Sequence, residues 1–219
     1  KKGQTIAVIG STGSGKSTLI NLIPRYYDVT KGSVKVDGVD VRDMTQKELR
    51  DKLGYVPQKG VLFSGTIDSN IRYGKPEITD ARVKEAAEVA QATEFIDTKP
   101  KKYESPVSQG GTNVSGGQKQ RLSIARAIAK DPEIFIFDDS FSALDFKTDS
   151  QLRKALKEYT KDATTVIVAQ RISTILGADQ IIVLDDGHMA GIGTHKELMA
   201  NCEVYQQIAR SQLSEEELA

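Results

Sequence analysis

The sequence predicts an α/β protein with a mainly parallel sheet, an inserted α-helical subdomain and a partial antiparallel β subdomain. Short apolar runs such as TIAVI (5–9) and EIFIFD (133–138) alternate with helix-forming stretches, which favours parallel strands covered by helices. Between about 66 and 130 the chain has helix signals and no convincing strand. We therefore expect one domain over residues 1–219, with an α/β core formed by 1–65 and 131–219 and a helical subdomain between them.

Local signals place several turns and helix starts. Asp37-Gly38 predicts a β-hairpin, and Asp186-Gly187 predicts a turn between two antiparallel strands. Thr45–Glu48 and Thr194–Glu197 are capping boxes, which mark the beginning of a helix. A further helix is expected near 148–159. The acidic tail SEEELA is expected to fray.

Composition narrows the class of protein. The 219 residues suffice for one sizeable core, and 30 basic residues balance 30 acidic ones, so no overall field attracts nucleic acid and no nucleic-acid partner is expected. The single Cys202 cannot form an internal disulfide and suits a reducing compartment. No apolar run approaches the roughly 18 residues of a membrane span. The chain lacks an initiator Met and enters a strand almost at once, which indicates a domain cut from a longer polypeptide.

A phosphate-binding loop follows the first strand. GSTGSGKS, Gly10 to Ser17, matches G-x-x-x-x-G-K-[ST] at every fixed position and precedes a predicted helix that runs up to Pro24. The glycines let backbone amides surround a phosphate, Lys16 can reach the β- and γ-phosphates, and the Ser17 hydroxyl can ligate Mg²⁺. The alternative is a glycine-rich turn that carries a lysine by chance.

Asp138 ends the apolar strand IFIFD, far along the chain from that loop. A parallel sheet would place its carboxylate beside Ser17, where it could hold Mg²⁺ directly or through water. The alternative is an aspartate that caps the following turn. The phosphate loop favours the metal-binding role.

A second anion-binding helix start lies in NVSGGQKQR (113–121). Ser115 can cap a helix whose first residues, Gly116 and Gly117, expose backbone amides without side-chain cover. Two phosphate-binding helix starts in one chain indicate that one serves a nucleotide held by another molecule. Ordinary capping would explain Ser115, but not the paired glycines and Gln118 together.

With these motifs the chain resembles the ATP-binding cassette of ABC transporters over essentially its full length, which implies a RecA-like P-loop NTPase core. Gly10–Thr18 resembles Walker A, Gln58 the Q-loop, Ser115–Gln118 the signature, Asp138 the Walker B acid and SALD (142–145) the D-loop. The resemblance implies that ATP is bound by Gly10, Ser11, Thr12, Gly13, Ser14, Gly15, Lys16, Ser17, Thr18, Gln58, Ser115, Gly116, Gly117, Gln118 and Asp145. It implies Mg²⁺ ligation by Ser17, Gln58 and Asp138.

The stretch YVPQKGVLFSGTIDSNIRYG (55–74) is similar to exporter cassettes more than to importer ones. By that resemblance two cassettes pack head to tail, and each ATP lies between one Walker A and the opposite signature. The resemblance also implies that Gln58 links the site to the coupling helices of a transmembrane domain. It would place the chain on the cytoplasmic side of the cell membrane.

Two positions depart from the family pattern. Asp139 stands where the family usually has Glu, and one methylene less retracts the carboxylate enough to cost on the order of 10²-fold in rate. Gln170 stands where the family has His, and an amide can bond a γ-phosphate but cannot shuttle a proton. With Lys16, these are the expected catalytic residues. The combination resembles the degenerate-site subunit of heterodimeric bacterial multidrug exporters, which implies slow hydrolysis and a competent partner cassette.

Other features of the chain leave alternatives open. A soluble cassette ATPase acting on nucleic acid or ribosomes, and a regulatory nucleotide-binding module without turnover, remain competing functions. The aromatic residue on which the family usually stacks adenine would precede Lys1, and Tyr26 and Tyr27 are expected to pack rather than replace it. We therefore expect weaker nucleotide affinity than in a longer chain. His188 and His195 are expected to be structural or solvated.

Overall fold

The computed structural model describes residues 1–213, and the expected fraying of the tail SEEELA lies outside them. The chain divides into a first unit, Lys1–Leu53 with the segment from Thr164 onward, and a second unit, Gly54–Ala163. The strands are β1 (Thr5–Gly10), β2 (Lys35–Val36), β3 (Val39–Asp40), β4 (Leu53–Val56), β5 (Gly65–Thr66), β6 (Pro106–Val107), β7 (Ile134–Asp138), β8 (Thr164–Val168), β9 (Gln180–Asp185) and β10 (His188–Gly193). The helices are α1 (Lys16–Asn21), α2 (Gln46–Asp51), α3 (Ile67–Ile71), α4 (Asp80–Val89), α5 (Thr93–Asp97), α6 (Gly116–Ala129), α7 (Phe146–Tyr159), α8 (His195–Asn201) and α9 (Glu203–Gln212).

The first unit is built on a mainly parallel sheet. β1 pairs in parallel with β8 and with β9, so that Val8 lies opposite both Val168 and Ile182. β10 closes this edge in antiparallel pairing with β9. The α/β class with a mainly parallel sheet and a small antiparallel part is therefore confirmed.

Two Asp-Gly turns connect antiparallel strands, as the sequence predicts. Asp37 and Gly38 join β2 to β3, and Asp186 and Gly187 join β9 to β10. Both residues of each pair have positive φ angles, the conformation of a type I′ turn, in which aspartate and glycine are favoured. The two-residue loops therefore set the pairing beside each turn, and the register of β9 and β10 shifts further along, between Met189 and Gly191.

The core of the first unit lies between the sheet and the two C-terminal helices. Ile9, Ile181 and Val183 of the strands pack in one buried cluster with Tyr205 and Ala209 of α9. Cys202, between α8 and α9, is buried in the same cluster, and its thiol donates a long hydrogen bond of 3.8 Å to the Ala190 carbonyl oxygen. This packing holds α9 against the sheet.

In the second unit, β4 and β7 are hydrogen-bonded neighbours, and the long helix α6 packs against α3 and α4. Arg126 of α6 donates from Nε to the Asn70 carbonyl oxygen at 2.7 Å and lies over the rings of Phe63 and Tyr73, which stack on each other. Burial lowers the pKa of Arg126 to about 10.

No helix within residues 1–213 is long and apolar enough to cross a membrane.

Two helix boundaries and one short strand differ from the sequence expectation. α1 ends at Asn21 rather than near Pro24, and Leu22 and Ile23 donate to carbonyls three residues back. Proline has no N–H and disfavours the helical conformation of the residue before it, so the helix tightens and stops. α7 begins two residues earlier than expected, at Phe146. β6 is a strand of two residues, too short to produce a pattern in the sequence.

Candidate nucleotide-binding site

The phosphate loop requires glycine at three positions. A Cβ on Gly10 would lie 2.1 Å from the Leu184 carbonyl oxygen and 2.6 Å from Ser14 Oγ, so a side chain cannot fit there. Gly13 and Gly15 have φ angles of 85° and 97°, in the left-handed region that side chains disfavour. The fixed glycines of the motif are therefore explained by backbone geometry as well as by phosphate access.

The turn between β9 and β10 braces this loop. The Gly187 amide donates to the Ser14 carbonyl oxygen at 3.2 Å, and Gly187 Cα would be 3.9 Å from a Cβ on Gly15. Ser14 is buried, and its Oγ has no hydrogen-bond partner among the described residues. An unsatisfied hydroxyl inside a loop of backbone amides fits a site that accepts an anion.

Lys16 supplies the positive charge of the loop. Its Nζ donates to the carbonyl oxygens of Gly10 and Ser11 at 2.9 and 2.7 Å, which holds the ammonium across the loop. Gly15 precedes α1 without a side-chain cap, and the hydroxyl-bearing residues Ser17 and Thr18 are exposed. These donors suit the triphosphate of a nucleotide, and the Ser17 hydroxyl suits a hard cation such as Mg²⁺.

In the second unit one of the two consecutive acids is bonded to a residue of β4 and the other to a residue just after β4. Tyr55 donates its hydroxyl to Asp138 Oδ2 at 3.3 Å, and Gln58 Nε2 donates to Asp139 Oδ2 at 3.0 Å. The next residue, Ser140, donates from Oγ to the carbonyl oxygen of Val56, at the end of β4, at 2.8 Å. The structure therefore brings together the predicted residues Gln58 and Asp139.

Both carboxylates are almost fully buried: Asp138 is 7% exposed and Asp139 is 8% exposed. Asp138 ends β7, as predicted, whereas Asp139 has a φ angle of 49°, in the left-handed region. Aspartate is one of the few non-glycine residues that tolerate this conformation. The two neighbouring acids have different partners, because Asp138 accepts from Tyr55 and Asp139 accepts from Gln58.

The signature segment forms the predicted helix start. Ser115 Oγ accepts from the Gln118 amide, and the Gln118 side chain accepts from the Ser115 amide, each at 3.2 Å. A Cβ on Gly116 would meet nothing within 4 Å, and one on Gly117 would lie 3.4 Å from the Ala143 carbonyl oxygen. The first turn of α6 is thus open to a ligand, while the Gln118 side chain is used in the cap.

Asp145 serves as the N-cap of α7. Its Oδ1 accepts from the Thr148 amide at 3.0 Å. Hydrogen bonds from the amide and hydroxyl of Thr148 lower the pKa of Asp145 below its usual range. The predicted role of Asp145 in nucleotide binding stays a prediction; the contact seen is a helix cap.

Gln170 follows β8, and a residue that the sequence did not single out holds its backbone. Gln212 Nε2 donates to the Gln170 carbonyl oxygen, and Gln212 Oε1 accepts from the Ile172 amide, each at 2.8 Å. The sequence carries no signal for this contact, because Gln212 lies about 40 residues away at the end of α9.

The two histidines make the contacts of structural residues. His195 Nδ1 lies 2.8 Å from the hydroxyl of Tyr205, and burial raises the pKa of Tyr205 to about 12. His188 Nδ1 lies 2.9 Å from the Asp186 carbonyl oxygen in the turn before β10. Tyr26 and Tyr27 lie on the surface, and the Arg50 guanidinium is 5.4 Å from the ring centroid of Tyr26.

Three motifs define a P-loop nucleotide-binding protein. They are the phosphate loop after β1, the acid that ends β7 and the capped glycine pair at the start of α6. A sequence profile of the ABC transporter family matches residues 1–142, which is more than half of the chain. The chain therefore belongs to this family, as an ATP-binding domain with the P-loop NTPase fold of the ABC cassette.

Individual relatives agree with this assignment. An uncharacterized ABC transporter ATP-binding protein of Mycobacterium bovis is 49% identical over 215 residues, which cover 97% of this chain and 37% of the relative. A putative multidrug export ATP-binding/permease protein of Staphylococcus aureus is 48% identical over 208 residues, covering 95% of this chain and 36% of that protein. The chain thus spans little more than a third of the length of these relatives.

Among solved structures, that of a bacterial Atm1-family ABC exporter with ATP bound is similar, with a TM-score of 0.93 and 39% sequence identity. The match covers 97% of this chain and 38% of the exporter chain. The likeness therefore extends over nearly all of the cassette.

Proposed function

We propose that this chain binds Mg·ATP and powers substrate export as one cassette of an ABC exporter, and that its own site hydrolyses ATP slowly. The observation that carries the slow-site proposal is the hydrogen bond of 3.0 Å between Gln58 Nε2 and Asp139 Oδ2. The side-chain amide of Gln58 therefore binds the carboxylate of Asp139, which stands where the family usually has the longer Glu. Asp139 is therefore less well placed to orient or deprotonate an attacking water.

Each residue of the site has a proposed role. The loop amides of Gly10–Thr18 and the Lys16 ammonium bind the phosphates, and Ser17, Gln58 and Asp138 would hold Mg²⁺. When bound, Mg²⁺ supplies positive charge that neutralises the phosphate oxygens. Gln170 donates an amide hydrogen bond to the terminal phosphate without exchanging a proton.

The signature of this chain is proposed to serve a second nucleotide-binding domain. Ser115–Gln118 presents an open, capped helix start, which suits a phosphate of the partner's nucleotide. A heterodimeric partner with Glu and His at the two departing positions would then provide the fast site. The Staphylococcus aureus relative is named an ATP-binding/permease protein, which supports coupling to a transmembrane domain, through Gln58, on the cytoplasmic side of the membrane.

The test is to measure ATP turnover of the chain alone and after mixing with a cassette that carries Glu and His at those positions. We expect low turnover alone and a clear rise with the partner. Ser115→Ala in this chain should reduce that rise, because it removes the cap of the signature helix. Thr45→Ala is the matched control, since Thr45 caps α2 with the same type of capping box and lies outside the signature.

The outcomes separate the competing functions. Brisk turnover by the chain alone, abolished by Asp139→Asn, would contradict the slow-site proposal. A failure of every combination to hydrolyse ATP, with nucleotide binding intact, would favour a regulatory module instead. The same Gln58–Asp139 contact supports that alternative, because it engages the acid without involving the phosphate loop.

A further inference from the structure

We propose that Gln212, the last residue of α9, is a positioning residue that sets the backbone of Gln170 for recognition of the terminal phosphate of ATP. The inference rests on the proposed contact between Gln170 and that phosphate. It assigns a role in the nucleotide site to α9, a helix that contains none of the sequence motifs.

The carboxamide of Gln212 binds both sides of the Gln170 loop. Its Nε2 donates to the Gln170 carbonyl oxygen and its Oε1 accepts from the Ile172 amide, each at 2.8 Å. The orientation of the amide follows from its partners, because a carbonyl oxygen needs a donor and an N–H group needs an acceptor. One side chain therefore satisfies two backbone groups that flank Arg171.

The loop between β8 and the short 3-10 turn at Ile172–Thr174 has its ends in the core. Ala169 is 3% exposed and Ile172 is fully buried, whereas Gln170 and Arg171 are exposed. The side chain of Gln212 bonds both the Gln170 carbonyl oxygen and the Ile172 amide. The direction in which the chain presents Gln170 therefore depends on Gln212.

Packing in the core holds α9, which carries Gln212, in place. Tyr205 and Ala209 on its inner face are fully buried, and they share one apolar cluster with Ala169, Ile172 and Ile175. The same helix thus packs under the loop through its apolar face and bonds the loop through its last residue. A displacement of the end of α9 would move the backbone at Gln170.

The test compares the affinity of the whole chain for ATP with its affinity for ADP, because Gln170 is proposed to contact only the terminal phosphate. Gln212→Met has similar length and loses both hydrogen bonds, so the preference for ATP over ADP should fall by about 3- to 10-fold. Gln212→Glu keeps an acceptor for the Ile172 amide and loses the donor, so we expect a loss of preference in this variant too. ADP affinity should stay unchanged in both.

Gln207→Met is the matched control, because Gln207 lies on the same helix and bonds Glu203 at the surface. It should leave the ATP preference and the melting temperature unchanged. The decisive comparison is a double-mutant cycle with Gln170→Ala. If Gln212 acts through Gln170, Gln212→Met should have no further effect in the Gln170→Ala background.

The outcomes distinguish this inference from the proposed function. If Gln170→Ala lowers the ATP preference and Gln212→Met does not, the positioning role is wrong and the role of Gln170 stands. If the effects of the two variants on the ATP preference simply add, Gln212 acts independently of Gln170 and the positioning role is also wrong. If Gln170→Ala leaves the preference unchanged, the proposed role of Gln170 is wrong, and the inference falls with it.

Discussion

Gln58 Nε2 donates a hydrogen bond of 3.0 Å to Asp139 Oδ2, which joins the loop after β4 to the acid after β7. The two residues are 81 positions apart in the sequence. The contact occupies one oxygen of the carboxylate that would have to act on water. Together with the shorter side chain of Asp139 relative to Glu, this contact supports the slow hydrolysis that we propose.

Replacing Asp139 by Glu should raise ATP turnover at this site. The longer carboxylate reaches further toward the nucleotide, and better placement on this scale is worth up to about 10²-fold in rate. Steady-state phosphate release by the assembled cassette pair measures the effect. Asp139→Asn is the control of equal size, and it should not raise turnover because it cannot accept a proton; equal rates for the Glu and Asp proteins would refute the prediction.

Tyr55→Phe should raise the Mg²⁺ concentration that nucleotide binding requires. Tyr55 donates to Asp138 Oδ2, so removing the hydroxyl leaves the carboxylate of a proposed metal ligand less firmly oriented and costs about 1 kcal/mol of unfolding free energy. Urea unfolding and a Mg²⁺ titration of ATP binding provide the measurements, and we expect the titration midpoint to shift. Tyr27→Phe, at a surface tyrosine, should change neither quantity. An unchanged midpoint in Tyr55→Phe would count against the role of Tyr55 in holding Asp138.

Gly10→Ala should destabilise the phosphate loop and abolish nucleotide binding. The added methyl group would lie 2.1 Å from the Leu184 carbonyl oxygen, and relieving this overlap should cost at least about 2 kcal/mol. Gly177→Ala is the control, because a Cβ there meets nothing within 4 Å, and it should stay within about 0.5 kcal/mol of the parent. Thermal unfolding and ATP titration test both variants; normal binding by Gly10→Ala would show that the loop can adapt.

The cap of α7 should make stability depend on pH in the acidic range. Hydrogen bonds from Thr148 hold the pKa of Asp145 below the usual value of about 3.9, so the folded chain favours the ionised form. The stabilisation is therefore present above the unfolded pKa and is lost as pH falls through the folded pKa.

The measurement for Asp145 is the melting temperature of the parent and of Asp145→Asn from about pH 7 to about pH 2. Asn keeps the capping oxygen but cannot ionise, so the parent should be more stable near neutral pH and should lose this advantage in acid. Asp162→Asn, at an exposed turn, is the control variant for the loss of one negative charge. A constant difference across the range would mean that the charge of Asp145 contributes nothing.

The sequence predicted those parts of the structure that short-range chemistry determines. Asp37-Gly38 and Asp186-Gly187 form turns because both residues accept positive φ angles, and the capping boxes at Thr45 and Thr194 form because their partners are three residues away. The glycines of the phosphate loop belong to the same group. Each of these signals lies within a few residues of the structure that it specifies.

The remaining parts depend on contacts between distant segments. Gln58 and Asp139 were each predicted from family motifs, but their mutual hydrogen bond has no counterpart in the sequence. Gln212 carries no motif at all, and its contact with Gln170 exists only because α9 packs under the loop after β8. Side-chain pairing across tertiary structure is set by packing geometry, which a one-dimensional pattern does not encode.

The buried Cys202 makes this protein convenient for site-specific chemical labelling. It is the single cysteine of the chain and is 5% exposed, so a thiol reagent has little access to it in the folded state. A cysteine introduced at an exposed position outside the site, such as Asp162, would react with a fluorophore while the native thiol stays protected. The fraction of Cys202 that reacts would in turn measure the fraction of molecules in which the packing of α8 and α9 has opened.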